Sequence, residues 1–517
     1  MSRYKFFLSF LAIFFHLFLT FAQNTIEKVE IMPGTGELEG RIINHQSIKI
    51  LKKNVIIRHK NIYLYCDSAN LYEDRNTVDA YGNARLVDEN GTTLTSQSMF
   101  YDGNAEFAKA TGNVVMTDSK MTLYTQEVKY NLITGIATYE TGGRIIDEES
   151  TLTSQIGIYD TKSKVFYFTQ NVVLVSNKEN QKIEAQELTY HTTTKLATFK
   201  GKTKITSKDG VIYTERGTYN TESKVSVFDT RTTIETEKYT LTGDSVWFDN
   251  SQKIGFAKGN TELIAKKDSL IINGEVGTFN DQTGFSKVFG NALLRSISQR
   301  DTLFLTADTL LSVSNKKNDT KTLYAYPKVQ IFHKEFQARC DSLVYQTADS
   351  TLYFYQDPVL WNAKSQLSAD TIWMHLEKQK IKQMHLRVNA FAITLDTLNQ
   401  FNQMKGKRMI ANFHNNEIRR IDVIGNAESI YFVLEGDTAL IGMNRAECSD
   451  IVIRFKEKNQ LAFVTYIGKP DAKFIPPHEI QEPETKLKNF RWRMSERPDK
   501  ATILLRLQRK ENLKKKT

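Results

Sequence analysis

Residues 94–131 read LTSQSMFYDGNAEFAKATGNVVMTDSKMTLYTQEVKYN. The first apolar residues of this stretch are spaced as i, i+5 and i+7, at Leu94, Met99 and Tyr101. The same spacing returns 29 residues later, at Leu123, Val128 and Tyr130. A straight half-buried strand needs even spacings, because its side chains alternate between two faces. The odd step of five therefore predicts a strand that turns a corner at the same place each time.

A tyrosine followed by a polar residue recurs along the chain at a nearly constant step. The steps between successive tyrosines are 29, 29, 29, 31 and 29 residues, for Tyr72, Tyr101, Tyr130, Tyr159, Tyr190 and Tyr219. Phe248 and Phe279 continue the series at steps of 29 and 31. We call these residues the anchors. A period held over so many turns is typical of a stacked repeat architecture.

Each anchor is followed by a polar turn, a returning strand and, in many repeats, a Gly-Asn step. These steps are Gly82-Asn83, Gly112-Asn113, Gly259-Asn260, Gly290-Asn291 and Gly425-Asn426. Gly and Asn tolerate positive φ, so the steps suit a corner in the backbone. The Thr-rich, β-branched composition and the absence of a 3.6-residue period exclude helix.

These patterns predict an all-β protein, an elongated open β-jellyroll or β-solenoid with repeats of about 29 residues. Each repeat contributes two bent antiparallel strands. One repeat buries too few apolar side chains to offset the entropy of ordering its backbone, so neighbouring repeats must stack.

The chain divides by composition into five segments. Residues 1–22 resemble a cleaved secretory signal, because basic residues precede a short apolar run and Thr20-Phe21-Ala22 fits a cleavage site before Gln23. An uncleaved membrane anchor is the alternative. A lead-in covers 23–45, regular repeats 46–300, looser repeats with insertions 301–468, and a basic tail 469–517.

Two stretches of the looser region depart from the repeat pattern. Asn315 to Thr320 is a polar insertion, and the basic stretch from Glu377 to Arg387 is compatible with a short helix or a loop. The array is expected to end near Gly468-Lys469-Pro470.

The formal charge of +10 is concentrated at the two ends of the chain. Residues from Lys486 onward carry 12 Lys or Arg and 3 acidic side chains, which leaves the repeat body close to neutral. A near-neutral body argues against a nucleic-acid partner, which needs a basic stripe. The basic tail is compatible with a solvated end or with a segment that contacts an anionic membrane surface or a partner.

No pattern in the sequence predicts catalysis, a metal site or a cofactor. The cysteines Cys66, Cys340 and Cys448 lie outside any CxxC spacing, and the histidines form no HxH or HExxH motif. Cys66 and Cys340 occupy similar Cys-Asp-Ser settings, which indicates equivalent strand positions. Asp147-Glu148-Glu149 is the only tight acidic cluster in the regular repeats, and its position indicates a solvated turn.

Repeated Gly-Asn-apolar-x-apolar units with strands ending in Tyr-Asp, behind a secretory signal, resemble the OstA-like family of lipopolysaccharide transport proteins. The opening Cys66-Asp67-Ser68-Ala69 resembles the larger members of that family. The resemblance implies a jellyroll that shields lipid A acyl chains between the membranes. It also implies location in the periplasm of a Gram-negative envelope, including association with the outer membrane, and pairing with other jellyroll components through edge strands. The array is longer than the small bridge proteins of the family and lacks a barrel-forming half.

The inward apolar positions are the candidate lining of a lipid groove. They are Leu94, Met99, Leu123, Val128, Ile183, Leu188, Leu241 and Val246. The same side chains would meet one another in a dry solenoid core, so the spacing alone leaves both readings open. A structural or adhesive β-solenoid of the envelope is the alternative function. A β-helical enzyme acting on polysaccharide is a weaker one.

Overall fold

A computed structural model describes residues 27–43, 46–118, 121–176, 180–266, 269–298, 301–315, 317, 320–378, 380–415, 417–436, 438–457 and 460–505. The expected signal peptide and its cleavage site lie outside these residues. The described part of the chain contains no helix that is long and apolar enough to cross a membrane. By contacts the chain divides into two compact units, one up to Ser207 and the other from Lys208.

The first unit consists of fifteen strands in the described residues. They are β1 (Glu30–Ile31), β2 (Glu37–Ile43), β3 (Gln46–His59), β4 (Ile62–Tyr72), β5 (Thr77–Val87), β6 (Thr93–Asp102), β7 (Phe107–Asp118), β8 (Met121–Asn131), β9 (Ile136–Tyr139), β10 (Gly143–Ile146), β11 (Ser150–Ser154), β12 (Ile156–Asp160), β13 (Val165–Ser176), β14 (Gln181–His191) and β15 (Leu196–Ser207).

The second unit contains the remaining described strands. They are β16 (Gly210–Asn220), β17 (Val225–Phe228), β18 (Thr232–Glu235), β19 (Tyr239–Gly243), β20 (Ser245–Asp249), β21 (Ile254–Ala265), β22 (Leu270–Asn280), β23 (Phe285–Ile297), β24 (Thr302–Asn315), β25 (Thr320–Tyr326), β26 (Val329–Phe332), β27 (Gln337–Cys340), β28 (Ser342–Gln346), β29 (Thr351–Tyr355), β30 (Val359–Asn362), β31 (Ser365–Ser368), β32 (Thr371–Glu377), β33 (Lys380–Leu395), β34 (Phe401–His414), β35 (Glu417–Glu435), β36 (Ala439–Phe455), β37 (Leu461–Ile467) and β38 (Asp471–Ile475). Short 3-10 helices follow at Pro477–Glu479, Glu482–Thr485 and Met494–Glu496, and a helix begins at residue 500.

The structure confirms the predicted all-β class, and the strand pairings described within each unit are antiparallel. It also confirms the predicted break in alternation. The pairing of β6 with β7 shifts register between Thr95 and Ser98, so Leu94 and Met99 both face inward despite their odd spacing. β7 and β8 shift in the same way between Thr111 and Val114.

The corners lie at the Gly-Asn steps, where two successive residues have positive φ. Gly82 and Asn83 have φ of 70° and 45°, and Gly112 and Asn113 have 83° and 47°. Two consecutive left-handed residues turn the strand from one sheet direction to the other. The side chain of Asp67 lies over Gly82, so a Cβ at Gly82 would approach the Cβ of Asp67 to 3.0 Å. Glycine is therefore required there both for its backbone conformation and for the close approach.

Each bent strand contributes to two facing walls. We call the half-strands that carry the anchors the first wall, and the half-strands beyond the corner the second wall. The inner faces of the two walls meet in an apolar layer, which we call the seam. Opposite the corner, both walls end in hairpin turns, and we call this edge the mouth.

The basic stretch of the looser repeats does not depart from the strand pattern. Residues 380–387 belong to β33, which pairs with β32 on one side and β34 on the other. The stretch from Glu377 to Arg387 is thus mostly strand, and the expectation of a short helix or loop is wrong. Its inward residues Met384 and Leu386 are buried, and this apolar contact stabilises the strand despite its basic neighbours. The polar insertion after Asn315 joins β24 to β25.

The strands extend past the expected end of the array, because β38 pairs with β36 through residues 471–475. Beyond β38, residues 476–505 turn back over the outer face of the second wall of the second unit. We call this segment the strap. Leu487 of the strap is buried with Phe391, Ile430 and other residues of β33 to β36. Ile503 is buried against Leu293 and Phe304 of β23 and β24.

Buried glutamines hold the backbone of the strap on this face. The amide of Gln403 donates to the carbonyl of Thr485 at 2.7 Å and accepts from the backbone N–H of Leu487 at 2.9 Å. Gln366 makes the same pair of bonds with Arg491 and Arg493, both at 2.7 Å. Each glutamine side chain thus donates one hydrogen bond to the strap backbone and accepts one from it, as the backbone of a neighbouring strand would. The described part of the basic tail is therefore packed, whereas residues 506–517 lie outside the described residues.

Candidate functional site: an apolar seam between two walls

The seam of the first unit contains six of the eight residues proposed from the sequence. They alternate with outward neighbours and are buried, with exposed fractions from 0% to 7%: Leu94, Met99, Leu123, Val128, Ile183 and Leu188. Small side chains from the paired strands fill the space between them, including Ala80, Ala108 and Ala110. The structure brings all six to one inner layer, in which the two walls are in direct contact.

Side chains from opposite walls join across the mouth of this unit. The hydroxyl of Tyr130, at the end of the first wall, donates to Oδ2 of Asp88, at the end of the second wall, at 2.7 Å. The hydroxyl of Tyr159 donates in the same way to Oδ2 of Asp118, which also accepts from Nζ of Lys164 at 2.6 Å. We call these contacts latches.

A third latch uses histidine as the acceptor. Nε2 of His59 lies 3.1 Å from the carbonyl oxygen of Glu27, which can only accept, so Nε2 carries a proton. In the neutral ring Nδ1 is then the acceptor, and the hydroxyl of Tyr101 donates to it at 2.7 Å. Tyr101 is 42 residues from His59, the same sequence separation as between Tyr130 and Asp88. The three latches thus use the tyrosine anchors of three consecutive repeats.

The latch tyrosines are enclosed by apolar side chains. Burial raises the pKa of Tyr101, Tyr130 and Tyr159 well above the usual range of tyrosine. For Tyr130 and Tyr159 the carboxylates of Asp88 and Asp118 raise the pKa further. All three hydroxyls therefore remain protonated at physiological pH and serve as donors.

The second unit begins with a tyrosine anchor, the buried Tyr219, and the anchors then change character. The next two anchors, Phe248 and Phe279, have no hydroxyl to donate. The two remaining proposed residues, Leu241 and Val246, are buried near the start of this unit. Farther along, several apolar side chains that pack against the core are only half-buried, and three of them lie next to hairpin turns at the mouth, namely Leu352, Phe413 and Phe455. The seam of the second unit is therefore partly accessible from its mouth.

Sequence reasoning missed these half-buried residues. The i, i+5, i+7 spacing does place Leu367 at an inward position, but it was not among the proposed lining residues. Leu352 and Phe413 lie in the looser repeats. The repeat length there departs from 29 residues, so the spacing does not show which side chains point inward. Their inward direction is shown by pairing with inward residues of the neighbouring strand, as between Leu352 and Met374.

The turn residues after the anchors do not all face solvent. Their sequence positions directly after an anchor pair predict that Thr161 and Thr221 face solvent. Thr161 is instead 5% exposed, because its backbone N–H and its hydroxyl both donate to the carbonyl of Gly135 in the preceding hairpin turn, at 2.8 and 2.9 Å. Thr221 is half-buried. Stacking of successive turns covers side chains that a single hairpin would expose.

The acidic cluster lies in the hairpin turn between β10 and β11, as its sequence position indicates. Oδ1 of Asp147 accepts from the backbone N–H groups of Glu149 and Ser150, at 2.9 and 2.6 Å, so its role is to cap the turn. Within the described residues, no three His, Cys, Asp or Glu side chains are close enough to hold a metal ion.

The three cysteines are free thiols. Cys66 and Cys340 are both buried directly before a corner, in equivalent positions of distant repeats. Burial raises the pKa of Cys66 to about 11 and that of Cys340 to about 12.

Two protein-family profiles match the chain. The family described as OstA-like protein matches residues 27–184 and 177–244. The family described as LptA/(LptD N-terminal domain) LPS transport protein matches residues 261–380. No curated protein sequence matches the chain significantly.

Among solved structures, the extracellular domain of BT4673 from B. thetaiotaomicron is similar over 84% of this chain and 91% of its own, at 7% identity. The TM-score of 0.10 is too low for this likeness to carry an argument.

The family matches confirm the resemblance drawn from the repeats. They link both units to proteins of lipopolysaccharide transport, a non-enzymatic class that works in the periplasm of Gram-negative envelopes. The two profiles together cover residues 27–244 and 261–380, more than half of the sequence. The chain belongs to the OstA-like family of lipopolysaccharide transport proteins.

Proposed function

We propose that this protein is a non-catalytic carrier that shields the acyl chains of lipopolysaccharide in its seam as the lipid crosses the periplasm. The observation that carries the proposal is the set of half-buried apolar side chains next to hairpin turns at the mouth of the second unit, which includes Leu352, Phe413 and Phe455. Partly exposed apolar groups that line a concave mouth are typical of a lipid site. The family matches supply the lipid class.

Partner contacts through edge strands fit both terminal edges of the array. In the second unit β38 pairs with β36, and the described residues contain no strand on its other side. Exposed apolar side chains lie close to this edge, with Phe463 at 52% and Phe474 at 54%. In the first unit β2 pairs with β3 and exposes Leu38 and Ile42. Unpaired edges with apolar side chains favour the addition of a further jellyroll.

Two further parts of the proposal rest on the sequence. Cleavage before Gln23 would release the mature protein into the periplasm, and the basic residues after Lys486 would contact the anionic surface of a membrane, including the outer membrane. Amino-terminal sequencing of protein from the cell envelope tests the first. A mature chain that begins at Met1 or Ser2 would contradict it.

The second candidate function is a structural β-solenoid without a lipid ligand. The observation that favours it is the seam of the first unit, where Leu94 and Val128 are 0% exposed and leave no room for an acyl chain. The two functions differ in one simple measurement. Protein purified gently from the envelope and extracted with organic solvent should release lipid A species, detected by mass spectrometry. An extract without lipid A, with the protein folded, would favour the structural solenoid.

A further inference from the structure

In the described residues of the first unit, the latches join the two walls at the edge where they can part. Opposite the mouth, the two walls are joined covalently through the corners, so they can separate only where their hairpin turns meet. Tyr101, Tyr130 and Tyr159 occupy this edge in three consecutive repeats and are 1%, 1% and 5% exposed. Each hydroxyl reaches from the first wall to a partner on the second wall.

The seam behind the latches is closed to any ligand while they hold. Val128 lies two residues before Tyr130 on the same inner face of β8, and Leu94 lies on the second-wall half of β6, directly after the turn that contains Asp88. Both are fully buried. An acyl chain can reach them only after the hairpin ends of the two walls have moved apart.

Releasing a latch has an energetic cost that depends on where the partners go. Asp88 and Asp118 are 7% and 6% exposed, and a buried carboxylate that loses its donor is destabilised unless it reaches water. Water is available just outside the mouth. The carboxylate and the hydroxyl therefore both gain solvent when the mouth opens, which makes the latch reversible.

The second unit provides the contrast. After Tyr219, its anchors Phe248 and Phe279 have no hydroxyl to form such a bond, and Leu352 and Phe413 next to its hairpin turns are already half-buried. The three tyrosine latches lie in the first unit, and in the second unit Nζ of Lys253 reaches Oδ2 of Asp209 across the mouth at 3.4 Å.

We propose that the tyrosine latches gate the seam of the first unit, so that acyl chains enter it only after the latches open. The ligand class, an amphiphile with long acyl chains, rests on the proposed function. The gate itself is a property of the fold and is testable without a lipid.

The test measures the accessibility of a buried thiol in each unit. In a background with Cys66, Cys340 and Cys448 replaced by alanine, Val128→Cys reports on the first seam and Leu352→Cys on the second. The latches are removed by Tyr101→Phe, Tyr130→Phe and Tyr159→Phe together. The control is Tyr139→Phe, which removes a hydroxyl bonded to Ser154 Oγ at 2.7 Å beside the corner, far from the mouth. The reagent is N-ethylmaleimide, and circular dichroism checks that each variant is folded.

Loss of the latches should speed alkylation at Val128→Cys by at least about tenfold, because each bond to a carboxylate opposes opening. Alkylation at Leu352→Cys should not change, and Tyr139→Phe should leave both rates unchanged. If the triple variant does not fold, Tyr130→Phe alone should raise the rate at Val128→Cys by a smaller factor. An unchanged rate in a folded latch variant would overturn the gate.

A lipid arm separates this inference from the proposed function. With a photo-crosslinking residue at Val128 or Leu352 and purified lipopolysaccharide, removal of the latches should increase adducts at Val128 and leave those at Leu352 unchanged. Adducts at Leu352 with no increase at Val128 would refute the gate and keep the lipid function. An absence of adducts at both positions would refute the lipid function, while the alkylation rates still decide whether the gate exists.

Discussion

The hydroxyl of Tyr130 and the carboxylate of Asp88 lie 2.7 Å apart across the mouth of the first unit, although they are 42 residues apart in sequence. Asp88 also accepts from the backbone N–H groups of Asn90 and Thr92 in its own turn, at 2.9 and 2.8 Å. One carboxylate thus orders a hairpin turn of the second wall and fastens that turn to the first wall. This double role distinguishes it from an ordinary turn aspartate.

Replacing Asp88 by alanine should therefore destabilise the first unit more than removing an ordinary turn cap. We expect Asp88→Ala to lower the free energy of unfolding by about 2–4 kcal/mol, because it removes the turn bonds and leaves a buried hydroxyl without its acceptor. The control is Asp147→Ala, since Asp147 caps the turn after β10 with bonds from Glu149 and Ser150. We expect about 1 kcal/mol for the control. Equal losses in urea unfolding would contradict the cross-wall role.

Glycine at a corner should be harder to replace than glycine at an exposed turn. Gly82 and Gly91 both have positive φ, 70° and 80°, so alanine strains the backbone by about 1–2 kcal/mol at either site. Only Gly82 lies against another side chain, that of Asp67, whereas a Cβ at Gly91 meets nothing within 4 Å. Thermal unfolding should therefore show a larger loss for Gly82→Ala than for Gly91→Ala. The reverse order would contradict the described corner.

The strap should contribute to the stability of the second unit through its buried side chains. Leu487→Ala removes a fully packed side chain between β33 and β36 and should cost about 2–5 kcal/mol. Its exposed neighbour Lys486 provides the control, with an expected loss below about 0.5 kcal/mol for Lys486→Ala. Limited proteolysis should show faster cleavage within 476–505 in the Leu487→Ala variant. Equal cleavage in both variants would indicate that the strap does not depend on this contact.

The ring of His385 should make stability depend on pH. It stacks on Trp373 with ring centroids 3.5 Å apart, and burial, with Arg387 and Arg408 nearby, lowers its pKa from 6.5 to about 4. The imidazole of His385 therefore becomes protonated near pH 6.5 in the unfolded chain, but only near pH 4 in the folded protein. The stabilising contribution is complete above pH 6.5 and is lost as the pH falls from 6.5 to 4. His385→Phe should show a shallower loss of stability over this interval in urea unfolding, and an unchanged slope would refute the assignment.

The thiols should differ in reactivity in the order of their burial. Thiolate is the nucleophile, and the raised pKa values of Cys66 and Cys340 keep both thiols protonated at neutral pH. Cys448 is only half-buried, so it should be alkylated first in the folded protein. Mass spectrometry after brief exposure to N-ethylmaleimide should locate the label at Cys448. Label at Cys66 before unfolding would contradict the described burial.

The bend of each strand into two walls was predictable, because the residues that cause each corner recur in every well-formed repeat. The odd step from Leu94 to Met99 requires a change of face, and the Gly-Asn steps supply the backbone conformation for it. Both features are local in sequence, so they are visible without a structure. The inward direction of the proposed lining residues followed from them.

The latches, the strap and the open mouth were not predictable, because each depends on contacts between distant residues. Tyr130 and Asp88 come together only after two further strands have been stacked. The strap looked like a solvated basic tail, since its buried residues, such as Leu487, are spread among charged ones. The half-buried Leu352 lies in a region of irregular repeat lengths, where the spacing of apolar residues does not show which side chains point inward.

The central claim is that acyl chains enter the seam, and in-cell photo-crosslinking tests it most directly. The sharpest comparison uses two positions of β29, inward Leu352 and outward Tyr355, which is 38% exposed. The first unit offers the same comparison on β8, with inward Leu123 and outward Tyr124. The account predicts lipopolysaccharide adducts at Leu352, fewer adducts at latched Leu123, and none at Tyr355 or Tyr124. Adducts at the outward positions, or at none of the four in folded protein, would contradict it.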